Sequence, residues 1–347
     1  VEVAAAAAVA EINGHMDKLV LQWHVTSACN LRCVHCYQEN TIHTSMDLNH
    51  INYIAESYVT LLQKLGMKGH INLTGGEPLL HSGFIEILEM FHSRKSFFTF
   101  GILTNGLLID EAMLTNLNKY KPEFVQVSLD GNKEIHDSMR GQGTFDRTCK
   151  TIKLLSRAGI KVLVSFTATK DNFRSFPEVY DAARKNGAFK VWTDRVVPFG
   201  NGKAFIDKMI GKEDIIEYLD ILKRCKLKKP VLFKRKPIVD ICRALQFLSG
   251  EGTFYSCSAG NTLITVMEDG TVYPCRRFPV DCGNVLSEPL TDIYINAAFL
   301  KELRNKKDIK GCTHCSYIYF CNGGARCISY AYYGTPFISD PACPLSR

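Results

Sequence analysis

Six apolar runs of strand length, at about Leu19–Val25, His70–Leu73, Phe98–Leu103, Phe124–Leu129, Lys161–Thr167 and Val191–Val196, alternate with helix-patterned stretches near Leu48–Leu65, Phe84–Arg94, Glu111–Leu117, Phe145–Ala158 and Phe176–Asn186. Strands that are apolar along their whole length need cover on both faces, which implies a parallel sheet clad in helices on its outer side. The repeat stops at Pro198-Phe199-Gly200-Asn201-Gly202, short of a closed eight-stranded barrel. The predicted fold is therefore α/β, a partial (β/α)6 TIM-like barrel open on one side. A barrel of this kind carries its chemistry at the C-terminal strand ends.

The first strand runs into Cys29-Asn30-Leu31-Arg32-Cys33-Val34-His35-Cys36-Tyr37. A four-iron cluster is normally held by four thiolates, so a C-x3-C-x2-C loop leaves one iron open to a substrate or cofactor. The alternative is a structural zinc site closed by His35 or His24. The second strand ends in Thr74-Gly75-Gly76-Glu77-Pro78, where glycine lets backbone come close to a ligand. The fourth ends in Ser128-Leu129-Asp130-Gly131 and is followed by His136-Asp137-Ser138-Met139-Arg140-Gly141. Each motif alone is weak, but together and in this order they resemble the radical SAM superfamily.

That resemblance implies roles for particular residues. Cys29, Cys33 and Cys36 would hold a [4Fe–4S] cluster whose open iron takes S-adenosylmethionine (SAM). Tyr37 would offer an aromatic face to the purine, Gly75, Gly76 and Glu77 would take up the ammonium, and Ser128 and Arg140 would contact ribose and carboxylate. It also implies reductive cleavage of SAM to a 5′-deoxyadenosyl radical, with electrons from a donor such as flavodoxin or ferredoxin. His136 reads as a hydrogen-bonding residue rather than a catalytic one.

Cysteines return in the last third. Glu268 to Cys275 reads as an Asp-Gly hairpin delivering a thiol, after Cys257 and before Cys282. Cys312-x2-Cys315-x5-Cys321, Cys327 and Cys343 follow. This pattern resembles the SPASM extension of radical SAM proteins, which implies two auxiliary clusters: one on Cys312, Cys315, Cys321 and Cys343, the other on Cys257, Cys275 and Cys327, completed by Cys282 or left open for substrate. The segment Cys321 to Cys327 is longer than the family's usual C-x3-C. Structural zinc is again the alternative, since Cys312-x2-Cys315 alone would suit it. Cys149, Cys225 and Cys242 sit in helical patterns and read as small buried hydrophobes.

At 347 residues and 46% apolar composition, the chain can bury a large core and a smaller second one. The expected division is an extension over 1–16, a barrel over 17–210, a helical basic connection over 211–250 and a SPASM domain over 251–347. The alanine-rich start has no basic flank, is too short to span a bilayer and lacks an initiator Met, so it reads as tag-like or incomplete. Metal-type spacing of the 14 cysteines favours a reducing cytoplasm over disulfides, and no membrane span is expected. The basic run Lys223, Arg224, Lys226, Lys228, Lys229, Lys234, Arg235 and Lys236 is a solvated face or a steering surface for an acidic leader peptide. No nucleic-acid module accompanies it.

SPASM proteins most often modify peptides or proteins, so the expected substrate is a peptide or protein undergoing crosslinking, thioether formation, epimerisation or oxidation. No leader-binding domain precedes Cys29, which points to a separate leader-recognition protein or to the barrel itself. Arg276 and Arg277 stand where sulfatase-maturing relatives carry a basic Asp. The other enzymatic reading is a tetrapyrrole or small-molecule substrate. A non-catalytic electron carrier is disfavoured, because it needs no SAM pocket.

Overall fold

The computed structural model describes residues 18–39, 43–229, 237–240, 244–250, 255–305 and 308–346. The six expected strands are β1 (Lys18–His24), β2 (Lys68–Thr74), β3 (Phe98–Thr104), β4 (Val125–Ser128), β5 (Val162–Ala168) and β6 (Lys190–Arg195), paired in parallel in sequence order. The crossovers carry α1 (Leu48–Leu65), α2 (Phe84–Ser93), α3 (Glu111–Tyr120), α4 (Lys133–Arg140), α5 (Thr144–Arg157) and α6 (Phe176–Lys185). Each strand start follows from burial: Leu19, Leu21, Trp23, Ile71 and Leu73 are inaccessible to solvent, as a strand covered on both faces requires. Trp23 and Phe91 lie 5.5 Å apart between ring centroids, and Phe91 meets Phe98 and Phe100 edge-on, so α2 is pinned to the sheet by aromatic contacts. Helix α1 starts where the Asp47 carboxylate accepts from the N–H groups of Asn49 and His50, and ends at Gly66 in the left-handed region.

The sheet does not stop at six strands. After α7 (Ile215–Leu227), β7 (Ile238–Asp240) joins β6 in parallel, and at the opposite edge β8 (Leu263–Val266) joins β1 in parallel. Then β9 (Val272–Tyr273) turns back on β8 as an antiparallel hairpin, giving the order β7-β6-β5-β4-β3-β2-β1-β8-β9. The C-terminal third is thus built onto the barrel sheet rather than hung beside it. Its helices α8 (Leu290–Asn296) and α9 (Ala298–Arg304) bury Leu290, Ile293 and Leu300 in the same apolar cluster as Ile51 and Ile54 of α1, and the Leu290 N–H donates to Ser57 Oγ at 3.1 Å. Two short helices, α10 (Ile318–Cys321) and α11 (Arg326–Tyr333), carry Cys321 and Cys327.

The basic run is partly committed. Lys223 donates to the Ser249 carbonyl at 3.0 Å and Lys228 pairs with Asp181 at 3.1 Å. Lys234, Arg235, Lys236, Cys242 and the 1–16 extension lie outside the described residues. Among the described residues no helix is long and apolar enough to cross a membrane.

Candidate functional site

Cys29, Cys33 and Cys36 line one cavity above the C-terminal ends of β1 to β6, together with Tyr37, Gly75, Gly76, Ser128 and Arg140. The space is open to solvent. Three soft thiol donors on one loop are the chemistry an iron–sulfur cluster needs. Among the described residues no group of three or more His, Cys, Asp or Glu is drawn tightly enough to hold a single metal ion.

The cysteine loop is held from several strand ends. The Gly76 N–H donates to the Thr26 carbonyl and the Glu77 N–H to that of Ala28, both at 2.7 Å. A Cβ on Gly75 would stand 2.4 Å from the Thr26 oxygen, and one on Gly76 2.4 Å from that of Ala28. Expected to admit a ligand, the two glycines also answer a closer demand, since their bare Cα atoms let β2's end touch the backbone that carries Cys29. Glu77 is fully buried and turned away from the cavity: it accepts from Thr104 Oγ1 at 2.7 Å and the Asn105 N–H at 2.8 Å. Burial pushes its carboxyl up to about 7, despite those donors. Asn105 in turn donates to Asn30 Oδ1 at 2.7 Å, so β3's end grips the same loop.

The Pro198–Gly202 stretch, which interrupts the sequence repeat, closes the other side. The Gly202 N–H donates to the Cys36 carbonyl at 2.9 Å, and Gly200, at φ +57°, would place a Cβ 2.4 Å from the Tyr37 backbone. Two glycines just past a strand end were the available signal for this contact.

Beneath Cys33, Asp130 organises β4's end. Its Oδ2 accepts from Arg140 Nε at 2.5 Å and lies 3.2 Å from His35 Nε2, while Oδ1 accepts from the Thr167 N–H at 2.8 Å. Burial alone would raise this carboxyl, but Arg140 and His35 hold it well below the usual carboxylate range. Arg140 thereby keeps its charge and reaches 3.8 Å from Cys33 Sγ. His136 Nδ1 accepts from the Asp130 N–H at 3.1 Å, the hydrogen-bonding role expected of it. Of the two histidines offered for zinc, His24 has both ring nitrogens engaged, whereas His35 turns Nε2 to Asp130 and leaves Nδ1 buried without a hydrogen-bond partner. His35 faces Asp130, and His24 meets Gln38 Nε2 at 3.1 Å and the Tyr37 hydroxyl at 3.3 Å.

A second cavity lies deeper, against the inner faces of β1, β4, β5 and β6, and Cys257, Cys275 and Cys327 all line it. Gln126 and Trp192 border both spaces and are joined by Trp192 Nε1 donating to Gln126 Oε1 at 2.6 Å. Arg277 pairs with Asp194 in the same wall. Cys312, Cys315, Cys321 and Cys343 form another group: Cys312 has Cys343 and Cys315 as charge neighbours, and Cys321 has Asp340, Cys343 and Cys312. Burial pushes the Cys312 thiol up to about 11 and that of Cys321 to about 12, a cost that metal ligation removes.

Cys282 joins neither group. Its N–H bonds to the Val272 carbonyl at 2.9 Å in the continuation of the hairpin, its thiol faces the Val280 carbonyl at 3.4 Å, and its charge neighbours are Asp281 and Arg304. The strand pairing that brings Cys275 to the deep cavity turns Cys282 toward a different apolar cluster from the one that holds Cys257, Cys275 and Cys327. Cys225 is buried in the core and Cys149 packs at its margin.

Residues 23–183 match the model of the radical SAM superfamily, and residues 257–316 that of the SPASM iron–sulfur cluster-binding domain. The chain is 28% identical to Fe-coproporphyrin III synthase of Methanosarcina barkeri over 95% of this chain and 88% of that protein. It is 29% identical to the antilisterial bacteriocin subtilosin biosynthesis protein AlbA of Bacillus subtilis, over 84% of this chain and 63% of that protein. Among solved structures, Streptococcus suis SuiB bound to S-adenosylmethionine has the same fold, with a TM-score of 0.75 at 18% identity, covering 97% of this chain and 80% of that one.

Proposed function

As a member of the radical SAM superfamily with a SPASM iron–sulfur domain, the chain is an enzyme that works with [4Fe–4S] clusters and SAM, and we propose that it modifies a peptide or protein held in the two adjoining cavities. In this reading Cys29, Cys33 and Cys36 hold the SAM-binding cluster, Cys257, Cys275 and Cys327 hold one auxiliary cluster with an open position, and Cys312, Cys315, Cys321 and Cys343 hold another. When bound, cluster and SAM supply one-electron chemistry able to take hydrogen from an unactivated carbon. The chain's own task is orientation and exclusion of water.

Several residues serve that task. The Gly75 and Gly76 backbone and the Ser128 hydroxyl line the place for SAM. Arg140, fixed by Asp130, holds positive charge beside Cys33. Tyr37 is half-buried against His24, and desolvation raises its hydroxyl to about 12, so it stays protonated and neutral beside the cofactor. Gln126 and Trp192 form the partition on which a substrate would rest.

The observation that carries the peptide reading is the wall chemistry. Amide side chains of Gln22, Asn72 and Gln126 line the deep cavity among apolar residues such as Leu103, Phe124 and Leu163, and amides of this kind can pair with peptide groups. The tetrapyrrole reading is favoured by the name of one relative, Fe-coproporphyrin III synthase, which aligns over nearly the whole chain. Anaerobic incubation with SAM, reductant and the peptide of a short reading frame beside the gene, followed by mass spectrometry, tests the choice. A mass change confined to the peptide supports it; turnover of coproporphyrin III with the peptide untouched overturns it.

A further inference from the structure

Four arginines line the strand-end cavity: Arg140, Arg195, Arg276 and Arg277. Three have buried or half-buried acidic partners, Asp130, Asp340 and Asp194 respectively. Arg276 has none among the described residues, and its Nε is buried without a hydrogen-bond partner. Yet it is well placed. Its N–H donates to Gln22 Oε1 at 3.1 Å, and its guanidinium stands 5.8 Å from the centre of the Tyr37 ring.

We propose that Arg276 anchors a carboxylate of the substrate at the boundary between the two cavities. This rests on the reading that those cavities hold the substrate. A cation in a partly buried wall carries a desolvation cost that an arriving anion offsets, and the planar guanidinium fork matches a carboxylate at two points. Arg276 lines both cavities, and the deep one is not reached by Cys29, Cys33, Cys36, Gly75 or Gly76. Consecutive residues therefore divide the work. Arg277 is paired with Asp194, whereas Arg276 has no acidic partner among the described residues, and the Nε of each is buried without a hydrogen-bond partner.

The carboxylate can belong to a peptide's acidic residue or to a tetrapyrrole's propionate, and two probe pairs separate these. Anaerobically reconstituted protein is titrated by equilibrium dialysis with N-acetyl-Gly-Glu-Gly-amide against its Gln counterpart, and with coproporphyrin III against its tetra-amide. For wild type, the peptide acid binds about ten-fold or more tightly than its amide, the scale of a charge-assisted hydrogen bond. Arg276→Gln abolishes that preference and Arg276→Lys retains part of it.

Preference in the coproporphyrin pair alone keeps the anchor and overturns the peptide reading. An acid preference absent from wild type in both pairs, or unchanged in Arg276→Gln, overturns the anchor and leaves the peptide reading to the conversion assay. Loss of SAM affinity as large as the loss of acid affinity makes Arg276 a cofactor contact and also overturns it.

Discussion

Arg195, the last residue of β6, and Asp340, three residues before the final cysteine, form a buried two-point ion pair: Nη1 donates to Oδ1 at 2.8 Å and Nη2 to Oδ2 at 2.5 Å. Asp340 also accepts the N–H groups of Ala325 and Ala342 at 3.0 Å, and it is a charge neighbour of Cys321 and Cys312. Burial by itself would lower the Arg195 guanidinium; Asp340 overcomes it and raises it. One side chain thus fixes the C-terminal thiol group to the wall of the strand-end cavity.

Removing one partner leaves the other charge buried and alone. Asp340→Asn is expected to lower the unfolding free energy by roughly 3–5 kcal/mol, whereas Arg195→Met with Asp340→Leu recovers much of that loss. Denaturant unfolding of the three proteins measures it, and equal losses in single and double variants would contradict it.

The close approach at Gly76 predicts a second effect. Gly76→Ala forces a Cβ against the Ala28 and Ser27 carbonyls, at 2.4 and 2.5 Å, and these belong to the backbone rather than to a flexible side chain. The expected cost is about 1–3 kcal/mol, with displacement of the Cys29 loop and reduced iron at the first site. Iron analysis beside denaturant unfolding checks both.

His136 makes stability depend on pH in a defined window. Burial, then Arg140, depresses its pKa from 6.5 to about 4, so between those values the unfolded chain binds a proton that the folded chain does not. Its contribution is present above about pH 6.5 and is lost as pH falls toward 4, on the order of 3 kcal/mol in all. The stability difference between wild type and His136→Asn should narrow across that window; parallel curves would contradict it.

The placement of the thiols predicts iron counts. About twelve irons per chain are expected from three four-iron clusters, falling to about eight when Cys29, Cys33 and Cys36 are replaced together. Cys282→Ala should leave the count unchanged, because its thiol faces the Val280 carbonyl rather than Cys257, Cys275 and Cys327. Zinc in place of iron after anaerobic preparation would contradict the cluster assignment.

What could be read in the amino-acid order was local. The spacing of Cys29, Cys33 and Cys36 and the six strand runs each lie within a few residues, so periodicity and motif reveal them. Contacts between distant segments left no such mark. Strand β8 pairs with β1 across more than two hundred positions, Val20 facing Leu263, and nothing in Leu263–Val266 says which edge it will join. Arg195 meets Asp340 across 145 positions. Gly200 and Gly202 are informative in another way: in sequence they mark where the repeat ends, while in space they are what lets the chain fold back on Cys36 and Tyr37. Cys282 had suitable chemistry and a suitable position in the chain, but strand pairing turned it elsewhere.

The most direct test is reductive cleavage of SAM by the anaerobically reconstituted protein in the absence of substrate. The wild-type chain should release 5′-deoxyadenosine and methionine when strongly reduced, and replacing Cys29, Cys33 and Cys36 together by Ala should abolish that release while the iron of the other two thiol groups remains. Undiminished 5′-deoxyadenosine from the triple variant would contradict the assignment of those three thiols to the catalytic cluster.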